Sequence, residues 1–230
     1  MSKISIIIPV LNEAQNLKRR LPELLQLEEA ALEILLADGG STDNGRLVAA
    51  QFPHTRWIDC PRKGRSYQMN HAAKLAKGDV LLFLHADTSL PRKALCHIKS
   101  SLDNPTVFAG SFCMRFDRED WFYRLCAGLS RLNFSFSTYG DQGLFLRKPD
   151  FDRLGGFKTL PFLEDVEIQS RLRKQGKFIK LPMAVVTSVR RFERNGRFRQ
   201  AGLNLLLLTA YYLGFSAHTL KKWYPDKKRG

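Results

Sequence analysis

Residues 4–10, Ile-Ser-Ile-Ile-Ile-Pro-Val, form a β-branched apolar run. Such a segment predicts a strand buried on both faces, as in the middle of a parallel sheet. Similar runs return at residues 32–37 and 79–84, with a shorter one at 56–59. Helical stretches alternate with them. Residues 13–27 predict a helix capped by Asn12 and bent or divided at Pro22, and Ser41 is placed to cap a second helix reaching Gln51. Residues 66–76 predict a third, and a fourth opens at Pro91. Four β-α units in succession point to a doubly wound α/β sheet, in which ligands bind beyond the carboxyl ends of the strands.

The rhythm changes after residue 104. Residues 106–116 and 143–148 predict strands, 121–132 an amphipathic helix and 164–174 another helix. A basic strand-like piece at 185–194 leads into an apolar helix at 202–213. The chain therefore divides into residues 1–104, 105–186 and 187–230, the last a basic helical extension.

Composition narrows the class. With 44% hydrophobic and 26% charged residues in 230, the chain has the makeup of a globular protein. Its formal charge of +15 should attract polyanions, among them anionic lipid head groups and phosphorylated substrates. Cys60, Cys96, Cys113 and Cys126 form no C-x-x-C pair, so buried free thiols in a reducing compartment are expected. Met-Ser-Lys leads directly into the first strand, without a signal-peptide layout, and no apolar stretch reaches the roughly 20 residues of a spanning helix. The expectation is a cytoplasmic protein.

Five segments carry residues suited to chemistry. Asp38, at the end of the second strand and followed by Gly39-Gly40-Ser41-Thr42-Asp43, can accept hydrogen bonds from a ribose hydroxyl or a base N–H; an Asp-Gly turn with a Ser cap explains it equally. His85-Ala86-Asp87 follows the most apolar strand, where Asp87 could hold Mg²⁺ or Mn²⁺ on a diphosphate, or merely open a turn. His85 is either a second ligand or structural. Arg62-Lys63-Gly64-Arg65-Ser66 precedes a helix start, a natural phosphate site, although a solvated basic loop has the same composition. Glu164-Asp165 opens a helix in an apolar context; one of them could act as a general base, or both could serve the helix dipole. Tyr139-Gly140-Asp141-Gln142-Gly143 is a polar loop that could shape an acceptor pocket, or a tight turn.

In order, these segments resemble family 2 glycosyltransferases. Ile6-Ile-Ile-Pro9-Val-Leu-Asn12-Glu13 is similar to that family's opening strand, and Leu36-Ala-Asp38-Gly-Gly-Ser-Thr-Asp43 to its second, with Ala37 where an Asp is usual. Leu84-His-Ala-Asp87 resembles its metal-binding Asp-x-Asp, with His85 in the first acidic position, and Leu163-Glu164-Asp165-Val its base-supplying pair. Gly64-Arg65-Ser66-Tyr-Gln68-Met69-Asn70 and Gly140-Asp141-Gln142-Gly143 resemble a bacterial branch labelled as associated with radical-SAM or selenium-domain proteins, or with arsenosugar formation.

The resemblance implies a GT-A fold, a nucleotide-sugar donor (a UDP- or GDP-sugar first), Mn²⁺ or Mg²⁺, and inversion at the anomeric carbon. It places the donor on Pro9, Asn12, Glu13, Asp38, Arg65, His85, Ala86 and Asp87, with the metal on Asp87. It makes Asp165 the base, with Glu164 as the other choice, and Gly140, Asp141 and Gln142 part of the acceptor pocket. The first 104 residues become the nucleotide-sugar half and residues 105–186 the acceptor half. The Gln-x-x-Arg-Trp signature of processive synthases is absent, and Arg190-Arg191-Phe-Glu-Arg194 stands in that region, so a single transfer is expected. A sugar nucleotidyltransferase would need a Gly-rich basic loop after the first strand, which Pro9-Val-Leu-Asn-Glu13 does not offer.

From residue 187 onward ten Lys and Arg face two acids, Glu193 and Asp226. No DNA- or RNA-reading motif accompanies them, so nucleic acid is not the expected partner. The apolar stretch Leu203–Phe215, with Trp223 and Tyr224 beyond it, is too short to span. It suits a helix packed on the domain or in a homodimer interface, or one lying peripherally on an anionic membrane. Arg190 and Arg191 are placed to close over a bound diphosphate.

Overall fold

The computed structural model describes residues 2–134 and 140–223. Tyr139 of the polar loop, and Tyr224, Asp226, Lys227, Lys228 and Arg229 of the basic end, lie outside the described residues. Seven strands form one sheet in the order β3-β2-β1-β4-β6-β5-β7. They are β1 (Ile4–Val10), β2 (Glu33–Asp38), β3 (Thr55–Asp59), β4 (Val80–Phe83), β5 (Val107–Phe116), β6 (Leu144–Arg147) and β7 (Lys177–Thr187). The first four pair in parallel, β6 runs antiparallel to both β4 and β5, and β5 and β7 are parallel again. Ten helices lie among the described residues. They are α1 (Ala14–Leu25), α2 (Gly45–Ala49), α3 (Arg65–Leu75), α4 (Ala94–Leu102), α5 (Trp121–Ser130), α6 (Lys148–Arg153), α7 (Glu164–Gln175), α8 (Arg190–Asn195), α9 (Arg197–Tyr212) and α10 (Ala217–Lys221).

The missing alternation in the central strands has a direct cause. Ile6 and Ile8 pack with Leu17 and Leu21 of α1 and Ile98 of α4 on one face of the sheet. Ile7, Leu35 and Leu81 pack with Met69 and Ala72 of α3 and Ile168 of α7 on the other. Both pleat faces are covered, so both must be apolar.

Several local expectations are corrected. Asn12 does not cap α1: its backbone is left-handed (φ 55°) and its Oδ1 accepts from Thr42 N at 2.8 Å. Asp43 of the next loop accepts from Ala14 N at 2.8 Å instead. Pro22 lies inside an undivided α1. Ser41 does not cap α2, which starts only at Gly45. The basic piece expected as strand at 185–194 is the end of β7 followed by α8, and the short helix α6 carries no periodicity signal. Of the four free cysteines only Cys113 is buried.

Two polar residues inside the strands satisfy the amino ends of the sheet. Buried Glu33 accepts from Ser5 Oγ (2.8 Å), Lys77 N (2.6 Å) and Arg56 Nη1 (2.9 Å), and Ser5 Oγ accepts from Gly78 N at 2.9 Å. Gly78 is obligatory, since a Cβ there would lie 2.7 Å from Ser5 N. Burial alone would raise the pKa of Glu33, but the hydrogen bonds from Lys77, Ser5 and Arg56 outweigh it and hold the carboxyl below its ordinary value. A depressed folded-state pKa contributes stability above the unfolded value of about 4.3, lost as pH falls through the lower folded value. Glu33→Gln should therefore cost about 1–3 kcal/mol at neutral pH in urea unfolding. The difference from the parent should shrink once the solution is acidic enough to protonate Glu33; a penalty independent of pH would show that its charge is immaterial.

Candidate active site

The topology gathers the chemistry-bearing segments at one end of the sheet. The carboxyl ends of β1, β2, β3 and β4 all point there, because these strands are parallel. Since β6 is antiparallel to β4, with Leu144 opposite Phe83, the 3-10 turn Gly140–Gln142 enters at the same end. β5 and β7 then run in the direction of β4, so Thr187 delivers α8 to this rim. α3 follows β3 and α7 precedes β7, which brings both helix amino termini to it as well.

The nucleoside side of the rim is tightly wired. Buried Asp38 accepts from Ser41 N (2.9 Å to Oδ1, 3.2 Å to Oδ2) and from Ser41 Oγ (2.6 Å), and Ser41 Oγ in turn accepts from Asn12 N at 2.9 Å. Asn16 donates to Glu13 at 2.5 Å, and Arg190 lies 3.6 Å from the same carboxylate. Pro9 sits opposite Ala37 in the β1–β2 ladder. Beneath them buried Gln68 of α3 donates to Val10 O (2.9 Å) and Ala37 O (2.6 Å), stitching the diverging ends of β1 and β2. A Cβ on Gly39 would meet the Gln68 amide at 3.0 Å. The sequence marked Gln68 only as part of the Gly64–Asn70 segment; its role in bonding the ends of β1 and β2 shows only in the structure.

The second half of the rim is acidic around one guanidinium. Arg65, at the start of α3, lies 3.5 Å from Glu164 Oε1. Desolvation would lower the pKa of Arg65, but the field of Glu164, Asp165, Asp141 and Asp87 outweighs it and raises the value. Gly140 N donates to Asp165 Oδ2 at 2.6 Å. A Cβ on Gly140 would be 3.0 Å from His85 Nε2 and 3.2 Å from Asp165 Oδ2, so the turn is pressed between those side chains. Burial, with Arg65 and Arg191 nearby, holds His85 well below the ordinary histidine value, and the imidazole is neutral at neutral pH. Burial, then Asp87 and Asp165, pushes Asp141 up to about 6. Burial first, offset by Arg65 and reinforced by Asp165, raises the pKa of Glu164. Ala86 is buried beneath the His85–Asp87 turn. A pocket lined by Arg65, His85, Gly140, Glu164 and Asp165 over Phe83 and Phe157 opens here.

Asp165 lines this pocket, Asp87 and Asp165 both act on Arg65, and Arg190 bridges Asp87 (4.0 Å) and Glu13 (3.6 Å), the chain neighbour of Asn12, whose N–H reaches Asp38 through Ser41. Gln142 is turned away from the pocket: its Oε1 accepts from half-buried Lys180 at 2.7 Å, and the Lys180 ammonium also donates to Ser130 O at 2.7 Å. Burial pushes Lys180 down to about 8.

The donor set fits a hard divalent cation. Asp87 accepts no hydrogen bond from the described residues, and Asp141 Oδ1 is buried without a partner. Among the described residues no group of three or more His, Cys, Asp or Glu side chains is placed to hold a metal by itself. A cation here would need phosphate oxygens and water to complete its shell, the usual habit of Mg²⁺.

An open, largely parallel sheet with a carboxylate cluster and cations beyond its strand ends has its candidate site where α/β sheets of this kind bind their ligands. The family model for glycosyl transferase family 2 matches residues 5–158, and the chain belongs to that family. It is 31% identical over 90 residues to the uncharacterized glycosyltransferase YibD of Escherichia coli, covering 37% of this chain and 26% of that protein. It is 30% identical over 107 residues to the uncharacterized protein MT1568 of Mycobacterium tuberculosis, covering 45% and 34%. The matches thus span about a quarter to a third of these curated relatives. The fold is similar to the mannosyltransferase PcManGT from Pyrobaculum calidifontis, solved with GDP-Man and Mn²⁺ (TM-score 0.72, 24% identity, 94% of this chain and 66% of that one). It is also similar to S. aureus TarS in complex with UDP (TM-score 0.69, 17% identity, 81% and 60%). The fold is therefore GT-A-like, as the motifs implied.

Gln68→Leu keeps the volume of the side chain but removes one donor from each carbonyl, Val10 O keeping Gly39 N at 3.0 Å, and should cost about 0.5–1.5 kcal/mol in denaturant unfolding. An unchanged midpoint would mean that neither carbonyl depends on Gln68.

Proposed function

We propose that this chain transfers a single sugar from a nucleoside-diphosphate sugar to an acceptor hydroxyl, with inversion at the anomeric carbon. The observation that carries the reading is that the carboxylates of Glu164, Asp165, Asp141 and Asp87, from separate segments of the chain, all act on the one guanidinium of Arg65 beyond the strand ends. Residues 1–104 would hold the donor, residues 105–186 the acceptor, and residues 187–230 would form a basic extension beside them. A UDP- or GDP-sugar is the donor class favoured by fold analogy, since the P. calidifontis enzyme was solved with GDP-Man and TarS with UDP and UDP-GlcNAc.

In this reading Pro9, Asn12, Glu13 and Asp38 form the nucleoside end. Asp38 commits Oδ1 to Ser41 but keeps acceptor capacity on Oδ2 for a ribose hydroxyl or a base N–H. Arg65, Arg190 and Arg191 compensate the diphosphate charge. Asp87, with neutral His85 and the backbone of Ala86 beside it, would hold Mn²⁺ or Mg²⁺, which when bound neutralises the departing diphosphate. Asp165 takes the proton from the acceptor hydroxyl as its oxygen attacks the anomeric carbon and the bond to the diphosphate breaks. Glu164 suits that role less well, because it is buried against Arg65 while Asp165 is only partly buried in the pocket. Gly140 fixes Asp165 through its N–H and Asp141 continues the acceptor wall, while Gln142, turned onto Lys180, would support that turn from behind.

Two substitutions separate binding from chemistry. In a thermal-shift assay at about 100 times the Kd, a nucleoside diphosphate with Mn²⁺ should stabilise the parent by about 2.7 kcal/mol. Asp87→Ala should lose the increment due to the metal; an undiminished increment would exclude Asp87 as its ligand. Asp165→Asn should keep the donor-induced shift and lose about 10²–10⁴-fold in transfer rate. Transfer at the parent rate would move the base elsewhere.

A further inference from the structure

α5 and α9 carry large apolar side chains on the side turned away from the core. On α5 these are Trp121, Leu125 and Leu129, which share one helix face and are 62%, 57% and 53% exposed. On α9, Leu207, Leu208 and Ala210 are buried, whereas Phe198, Leu205, Leu206 and the adjoining Leu213 are exposed. At the helical pitch those four fall within an arc of about 100°, opposite Leu207. The two stripes meet where the Trp121 and Phe198 rings lie 6.0 Å apart. Arg197 covers that junction, 5.1 Å from the Phe198 ring and paired with Asp120 at 2.7 Å.

Cations border this apolar surface. Arg124 and Arg131 follow one side of the α5 stripe, Arg194 and Arg199 stand at the head of α9, and Lys222 lies beyond its end. All five are exposed, and none forms an ion pair among the described residues. Single exposed apolar residues are ordinary on a protein surface, but a continuous stripe edged by uncompensated guanidiniums is not. It matches the boundary between acyl chains and head groups, where apolar side chains enter and cations reach lipid phosphates.

We propose that the exposed α5–α9 face docks this protein on the surface of an anionic phospholipid bilayer. A second copy of the chain is the poorer occupant. Face-to-face pairing would bring two cationic borders together in a molecule of net charge +15, whereas anionic lipid neutralises them. No helix among the described residues is long and apolar enough to cross a membrane, so the contact lies along the surface. Docking would hold the cleft close to the lipid. On its inner side α9 packs Leu203, Leu207 and Tyr211 against Phe162 and Leu163, which lead directly into Glu164 and Asp165. This inference rests on the surface alone and stands apart from the reading of the reaction.

The test is flotation of the purified full chain with vesicles of phosphatidylcholine alone, or of phosphatidylcholine with about one third phosphatidylglycerol. Binding is expected to the anionic vesicles, weakening as salt is raised. Leu125→Gln/Leu205→Gln/Leu206→Gln and Arg124→Glu/Arg131→Glu/Arg199→Glu should each reduce partitioning about tenfold or more, with parental circular dichroism and melting temperature. These exposed positions lie outside the cleft, so loss of binding without loss of fold is the informative result. Equal binding to both vesicle types, no flotation, or parental flotation by either variant overturns the proposal. A dimer in analytical ultracentrifugation that the leucine substitutions dissociate would assign the face to self-association instead.

Discussion

β1 pairs in parallel with β2 on one edge and with β4 on the other, and the position of every candidate functional group follows from that arrangement. Beside β1 the strand order reverses, with β2 and β3 on one side and β4 on the other, so the region beyond its carboxyl end is the sheet's switch point. Backbone groups where the strand pairing stops must be satisfied from elsewhere. Gln68 does this for Val10 and Ala37, and Asp38 and Asn12 do it for the loop at Ser41 and Thr42. At the opposite end Glu33 and Ser5 perform the same service for Lys77 and Gly78.

Opposed charges line the cleft above an apolar floor of Phe83 and Phe157. Glu164, Asp165, Asp141 and Asp87 converge on Arg65, and their mutual repulsion, added to burial, shows in the raised values of Asp141 and Glu164. Arg190 and Arg191 approach from α8 on the other side. Within a molecule of net charge +15, these carboxylates stand next to basic helices, so acidic and basic surfaces lie side by side.

Local sequence signals succeeded where a residue's role is local. The β-branched runs, the helix at 66–76 and the turn after Asp38 are visible because burial on two faces and left-handed turns restrict residue type at the position itself. They failed where the partner is distant. The cap of α1 comes from Asp43 and not from Asn12, and Ser41 serves Asp38 and Asn12 rather than α2. Arg190-Arg191 reads as part of a basic strand until the bridge between Ser89 and Val186 and the end of β7 at Thr187 are seen.

The residues by themselves determined the α/β class, the order of the parallel units and the types of group available at the strand ends, because those are set by burial pattern and chain order. Only the tertiary structure decided that β6 inserts antiparallel between β4 and β5. That single reversal carries Gly140 and Asp141 to His85, and lets β7 return Arg190 to Asp87. Strand pairing is a contest between distant backbone edges, settled by packing on both sheet faces at once, and no local pattern of side chains encodes it.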